Sequence, residues 1–468
     1  MQIKRLLKAL RNALLKIVVS NRWYGLVAIL FFFAIKELSV NGKTNSLSLR
    51  KRDNKISLLA FSPRGFRKDI NCIVSSKEFR MLVIEDYWMA RITSLFYTKG
   101  QPKYNFNFNP DDLAFKYKTE QKELRNFLYH FLSKLYRLVR IDCVISPHPR
   151  YVSDMEWGAV STKMGIPHIL ISRDSQFASS PYLLNKMKGL FRDGLPKFEG
   201  KHIIVQSELD KEVYIDSGYV SPDRISSLGC PRMDDFIRKS KGKRLDAKER
   251  RKKVVFLPFT YKEKGTFDLL DLRSYVEELQ LFFIRFATKF PEIDVVIKPK
   301  LKGLKLWEKE VMFKMIGDTR IENSKILNLI IRDDVDIHSL FLESDIVCGH
   351  STSALLEAAV IGLPVIMPYF KDLQNPKYDE RLFYRDAYDL FDIAKDVNEL
   401  ESIIIDRLRN PAIDEKIMEE RKAYFEKYIS CVKGDATEKY ATLIKEIVNK
   451  KHVYTRVRKE KILCKEDN

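Results

Sequence analysis

The chain has 468 residues, 45% of them hydrophobic and 31% charged, enough apolar side chain to close a large core, so disorder as the main state is excluded. With 18 Gly and 17 Pro it is neither collagen-like nor of low complexity, and its length suggests two ordinary domains. The net charge of +20 gathers at the chain ends, with twelve basic residues against two acidic in 1–55 and eight against four in 445–468, so the body is too mildly basic to expect a nucleic-acid partner.

From Met1 to Lys36 there is no acidic residue. Ile3, Leu6, Leu7, Leu10, Leu14 and Ile17 fall on one helical face, with Lys4, Lys8, Arg11 and Lys16 mostly elsewhere. This is the pattern of a basic amphipathic helix. An unbroken apolar run, Trp23 to Ile35, follows. As a helix it spans about 20 Å, short of the roughly 30 Å hydrocarbon layer. The expectation is a membrane-anchor segment over 1–50 that lies in, or half inserts into, an anionic membrane surface. A single spanning helix and a buried core helix remain the alternatives. If the segment is an anchor, deleting residues 1–40 releases the protein from membranes. No other segment approaches spanning character, which excludes a multispan protein.

The body alternates short apolar runs with helical periods. Strands are predicted at 56–61, 80–85, 142–146, 168–172, 201–206 and 224–228, with helices at 112–140, 154–164 and 207–217. Residues 239–253 (KSKGKRLDAKERRKK) are polar and charged and read as a linker. Alternation then restarts, with strands at 254–258, 293–298, 326–331, 344–348 and 364–367 and helices at 268–289, 336–342 and 352–361. Such alternation implies βαβ units, and so two doubly wound, Rossmann-like domains at 56–238 and 254–430, with a helix and basic tail at 431–468. Two domains of this kind facing one another would leave a cleft at the carboxyl ends of their strands. The six cysteines (Cys72, Cys143, Cys230, Cys348, Cys431 and Cys464) are scattered and fit reduced thiols, with neither a disulfide framework nor a zinc site.

The most informative stretch is SDIVCGHSTSALLEAAVIGLPVIMP at 344–368. A buried strand ends at Cys348, Gly349 is expected to permit a tight turn, and His350, Ser351, Thr352 and Ser353 open a helix. Three hydroxyls beside free backbone N–H groups make an anion pocket suited to a nucleotide diphosphate. Glu357, one turn further, is placed to reach ribose hydroxyls. The competing reading is that Ser351 and Thr352 only cap the helix.

This block resembles the nucleotide-binding segment of GT-B glycosyltransferases, including surface and capsular polysaccharide transferases and the related CDP-glycerol glycerophosphotransferases. Further stretches agree in order. Val205-Gln206-Ser207 looks like the family's segment ahead of the linker. Gly229-Cys230-Pro231-Arg232-Met233-Asp234 is similar to its Gly-x-Pro-Arg-x-Asp. Ile297-Lys298-Pro299 resembles the start of Lys-Pro-His-Pro, and Gly434-Asp435-Ala436-Thr437-Glu438 the closing Gly-x-Ala-x-Glu. There are departures. Lys300 stands where the family often has His, and His350 replaces an Asp common in the teichoic acid enzymes. Gly349 stands where retaining transferases place a Glu, which disfavours that mechanism.

The resemblance implies an inverting transferase that works without a bound metal or cofactor. Such an enzyme takes a nucleotide-sugar donor and a lipid-linked or growing polysaccharide acceptor, here at the cytoplasmic face of a bacterial cell membrane. A CDP-glycerol or ribitol-type polyol-phosphate transferase and a non-catalytic binding protein of the same fold are the alternatives. Asp334 and Asp336 mimic a metal-binding Asp-x-Asp but precede a helix and read as a cap. An inverting transfer needs a base for the acceptor hydroxyl and cations for the leaving diphosphate. Asp154 is the first candidate base and His148 the second, followed by Glu156 and Asp174, all on loops or helix starts after first-domain strands. Arg232 and Lys298 are the candidate cations.

Overall fold

The computed structural model describes residues 12–47, 54–97, 100, 116–172, 179–242, 250–258, 273–299 and 326–449. Over these residues contacts divide the chain into two units. One comprises Met1–Gln176, Lys186–Asp234 and Gly434–Asn468, and the other Phe177–Asn185 and Asp235–Lys433.

In the first unit two short strands, Lys36–Leu38 (β1) and Thr44–Ser46 (β2), precede Ile56–Phe61 (β3), Phe79–Ile84 (β4), Cys143–Ser146 (β5), His168–Ile171 (β6), His202–Val205 (β7) and Ile225–Ser227 (β8). The sheet order is β2-β1-β4-β3-β5-β6-β7-β8. From β4 to β8 every pair is parallel, and β1 joins β4 antiparallel. Parallel strands are covered on both faces, which is why β3, β5, β6 and β7 read as continuous apolar runs. The chain passes from β3 to β4 on one side and then crosses back to β5 on the other side of β3, so the order reverses between β3 and β5.

The second unit contains Lys252–Leu257 (β9), Ile293–Ile297 (β10), Leu329–Ile331 (β11), Ile346–Gly349 (β12), Val365–Pro368 (β13) and Asp392–Ala394 (β14). All pairs are parallel, in the order β11-β10-β9-β12-β13-β14. Numbered within the unit this is 3-2-1-4-5-6, the dinucleotide-binding order, with its reversal between β9 and β12. Its core joins Val254, Phe256, Phe283, Val295, Cys348 and Ile366. Arg421, almost fully buried, donates to the carbonyls of Leu363 and Leu390 and so ties helix Glu415–Tyr428 to the turn before β13. Burial pulls its guanidinium down to about 10, still charged at neutral pH.

Three expectations need revision. Helix Pro231–Gly242 runs into the stretch expected as a 239–253 linker, and β9 already begins at Lys252. The basic residues there are not all solvated chain: Lys252 pairs with Asp345 and Lys253 with Glu343. Residues 243–249 lie outside the described ones.

The 436–449 helix belongs to the first unit. It buries Tyr440, Ala441, Ile444 and Val448 against Ile145, Ile169 and Ile171.

The expected anchor is also, in half, a core element. Helix Tyr24–Ala34 buries Val27, Ala28, Phe31 and Phe32. Phe31 meets Phe131 of helix Lys118–Leu138 at 4.9 Å and Trp157 at 5.7 Å between ring centroids. The strand β1 follows at once. Deleting residues 1–40 would therefore strip this core and a sheet strand as well as any membrane contact. Among the described residues no helix is long and apolar enough to cross a membrane.

Candidate active site

At the reversal point of the second sheet, β12 ends in Gly349. Gly349 does not make the turn, contrary to expectation. It is still in the strand, and a Cβ there would sit 3.0 Å from the Leu257 carbonyl oxygen and 3.2 Å from the Leu257 Cβ. Glycine is needed because β12 and β9 approach so closely. The turn falls on Ser351, whose φ of 47° lies in the left-handed region that a residue with a Cβ rarely adopts. Strain of this kind, on the order of 1 kcal/mol or more, persists where the surroundings hold it in place. They do so here: the Ser351 hydroxyl accepts from the Phe383 N–H at 3.3 Å and lies 2.9 Å from His350 Nδ1. The Tyr384 hydroxyl donates to the Thr352 carbonyl at 2.6 Å.

Helix Ser353–Val360 begins at this turn. Thr352 is its N-cap residue, yet its side chain makes no capping hydrogen bond. Ser351 spends its hydroxyl on Phe383. The capping alternative is therefore not what these hydroxyls do; the Leu355 N–H donates to the Thr352 carbonyl at 3.1 Å, which leaves the N–H groups of Ser353 and Ala354 as the donors at the helix start. Thr352 and Ser353 are half-buried. His350 is buried between Tyr369 and Tyr388, with ring centroids 6.0 and 6.2 Å away. Burial lowers its pKa to about 3, so the imidazole is neutral. Its Nε2 has no hydrogen-bond partner among the described residues.

Glu357 is buried one turn along, its Oε2 2.9 Å from His338 Nε2. His338 in turn stacks on Phe236 at 4.5 Å. Sequence reading missed His338. The available signal was its place in the first turn of a helix whose cap, Asp336, was recognised. The Asp336 side chain does accept from the Ser339 N–H at 3.1 Å, as a cap should. Lys298 follows β10, its amine 3.5 Å from the Pro299 carbonyl.

A groove of about 460 Å³ in this unit, between helices Arg273–Lys289 and Val397–Arg409, contains none of these residues.

The first unit has its own cluster at its own reversal point. Ser62 follows β3 with φ 46°, and its hydroxyl donates to Asp154 Oδ1 at 3.0 Å. Asp154 sits in the first turn of helix Val152–Lys163, which follows β5. This one hydrogen bond spans the strand reversal. Asp154 Oδ2 is buried without a partner among the described residues. Burial, with a smaller contribution from Asp86, pushes the carboxyl up to about 8, against the pull of the Ser62 hydroxyl.

The other candidate bases differ from it. Glu156, two residues on and so on another face of the helix, pairs with Arg125 at 2.5 Å and accepts from Gln121 at 2.6 Å. Arg125 also forks onto Glu199 at 2.6 Å. Burial pulls the Arg125 guanidinium down, but the two carboxylates outweigh it and hold it above its ordinary value. Glu156 is thus committed to an ion-pair network. His148, buried after β5, accepts the Arg150 N–H at Nδ1, and the Arg150 guanidinium lies 3.3 Å from Nε2. Asp174 lies outside the described residues. Arg232 does not stand free for a leaving group either: it pairs with Asp69 at 3.1 Å within the first unit.

No family model matches the chain, and no curated protein matches it. Among solved structures it is similar to the UDP-GlcNAc 2-epimerase of Neisseria meningitidis bound to UDP-GlcNAc, at 13% identity over 83% of this chain and 99% of that one, with a TM-score of 0.43. It is also similar to a UDP-forming trehalose-phosphate synthase from Burkholderia xenovorans, at 10% identity over 84% and 99%, with a TM-score of 0.40. A third is Anabaena HepE in complex with UDP and glucose, at 14% identity over 84% and 99%, with a TM-score of 0.38. At these TM-scores the likenesses add nothing to the assignment of the site, which stands on the geometry above.

Proposed function

We propose that the protein is a nucleotide-sugar-dependent glycosyltransferase. In this reading it is an inverting, metal-independent enzyme at the cytoplasmic face of a bacterial cell membrane. It passes a sugar to a lipid-linked or growing surface polysaccharide. The observation that carries the reading is the uncapped start of helix Ser353–Val360 at the reversal point of a 3-2-1-4-5-6 sheet. That is where a parallel α/β sheet offers amide donors to a diphosphate. The second unit takes the donor. The Ser353 and Ala354 N–H groups and the Thr352 and Ser353 hydroxyls receive the phosphate oxygens, and Glu357, steadied by His338, accepts from ribose hydroxyls. Lys298 adds positive charge near the phosphates. The first unit supplies Asp154 as base. The acceptor hydroxyl passes its proton to the Asp154 carboxylate, and its oxygen attacks the anomeric carbon. The bond to the diphosphate then breaks, and the negative charge is left on the nucleotide.

Ser353→Pro tests the donor site with little cost to the fold. Proline is well tolerated at the first helical position, and the preceding Thr352 already holds the extended φ −134°, ψ 137° that proline requires. The change removes one N–H and one hydroxyl from the pocket. UDP affinity, read by calorimetric titration, is expected to fall about tenfold or more with the melting temperature unchanged. Incubation with radiolabelled UDP-sugars and with CDP-glycerol decides the donor class. Consumption of CDP-glycerol alone would replace this reading with a polyol-phosphate transferase. No thermal stabilisation by UDP, CMP or CDP would leave a binding protein without donor chemistry.

A further inference from the structure

A helix that is apolar all round is normally buried all round, or meets lipid. Helix Tyr24–Ala34 is apolar along its whole length, and only half of it is covered. Val27, Ala28 and Phe31 face the protein core, while Leu26, Ile29 and Phe33, at spacings of three and four, share the opposite face and are exposed, Phe33 to 69%. The 12–20 helix before it continues the pattern, burying Leu15, Val18 and Val19 and exposing Leu14 and Ile17. Trp23, 53% exposed, stands at the elbow between the two helices. Seven of the twelve exposed large apolar side chains among the described residues fall within residues 14–40.

We infer that this outward half of the 12–34 helical elbow is a docking surface for an anionic lipid bilayer. Charge decides between lipid and a second copy of the chain. Lys16 and Arg22 are exposed beside the apolar face, and the sequence holds Lys4, Arg5, Lys8 and Arg11 before them with no acid until Glu37. Two copies meeting through this face would bring the exposed Lys16 and Arg22 of each copy together, which disfavours association. An anionic headgroup layer complements both features, and an exposed Trp suits the interface. The eleven-residue helix is about 16 Å long, so it lies in the headgroup region and does not span. The inference deepens the membrane location in the proposed function. Vesicle binding needs neither donor nor acceptor, so the two can fail separately.

The test is co-sedimentation of the full chain with vesicles of phosphatidylcholine alone and of phosphatidylcholine with phosphatidylglycerol. Pelleting is expected with the anionic vesicles and weakens as salt is raised. The double variant Ile29→Glu/Phe33→Glu changes only exposed positions, and its circular dichroism and melting temperature are expected to match the parent. Its partitioning is expected to fall at least tenfold. Lys16→Glu/Arg22→Glu is expected to weaken binding to anionic vesicles while leaving the apolar face intact. Equal pelleting of parent and Ile29→Glu/Phe33→Glu would overturn the inference. So would an absence of vesicle binding together with a concentration-dependent dimer, seen by analytical ultracentrifugation, that the same double variant abolishes.

Discussion

Asp154→Asn is expected to make the protein more stable at pH 9 while lowering turnover about a thousandfold. Both effects come from the same carboxyl. In the unfolded chain an Asp ionises near 3.9. In the fold, burial holds Asp154 protonated up to about 8. Between those values the native state keeps a proton that the unfolded state has released. Stability therefore falls as pH rises from about 4 to about 8 and is level above that. Each pH decade in the window costs about 1.4 kcal/mol, so over about four decades the burden at pH 9 is on the order of 5 kcal/mol. Asparagine removes the ionisation and keeps an oxygen for the Ser62 hydroxyl. The melting temperature should then rise by several degrees at pH 9 and little at pH 4. Loss of a general base typically costs a factor of 10² to 10⁴. The parent's rate should climb with pH to a plateau above about 8, and the variant should lack that limb. If the variant gains stability and keeps its turnover, Asp154 is a structural carboxylic acid and the base lies elsewhere.

Asp234→Ala should destabilise the first unit by about 3 kcal/mol. Asp234 is buried, and its two carboxylate oxygens accept the N–H groups of Ala436 at 3.1 Å and Thr437 at 2.7 Å. It thus caps the 436–449 helix from two hundred residues away in the chain. The same helix is held by the Tyr440 hydroxyl, which donates to the Gly229 carbonyl at 3.0 Å. Removing the carboxylate leaves buried donors unsatisfied and withdraws a negative charge from a helix N-terminus. Urea unfolding measures the loss, and limited proteolysis should show faster cleavage near residues 430–436. Asp234→Asn keeps one acceptor and should recover part of the difference. Unchanged stability in the alanine variant would mean that solvent replaces the cap.

The two distant motifs Gly229–Asp234 and Gly434–Glu438 are thus physically joined, which their sequence spacing could not reveal. The buried parallel strands were legible because β-branched runs such as Ile293–Ile297 leave little ambiguity. By contrast β1 (KEL) and β2 (TNS) carry no alternation to read, and their place follows only from the pairing of β1 with β4 and of β2 with β1. Strand order was not legible either, although it puts Asp154 and Ser351–Ser353 each at a reversal point. Asp154 and Glu156 look alike in the sequence, two acids opening one helix. Arg125, from a different helix, separates them by neutralising one. Likewise the role of the Ser351 hydroxyl depends on Phe383, thirty-two residues on, and nothing in the 344–368 stretch announces it. The apolar run at 23–35 reads as a membrane anchor, and period alone could not show that Val27, Ala28, Phe31 and Phe32 pack inside the protein.

The return of the 436–449 helix to the first unit has a consequence for synthesis. Most of the second unit is one continuous stretch, which can collapse as it emerges from the ribosome. The first unit begins the chain yet finishes last, since Tyr440, Ile444 and Val448 complete its interior. Throughout translation of the intervening residues, the apolar bed beneath that helix stands uncovered, a state prone to aggregation and chaperone capture. A ribosome that stalls or stops at about residue 433 would release a chain with a finished second unit and a sticky, incomplete first one.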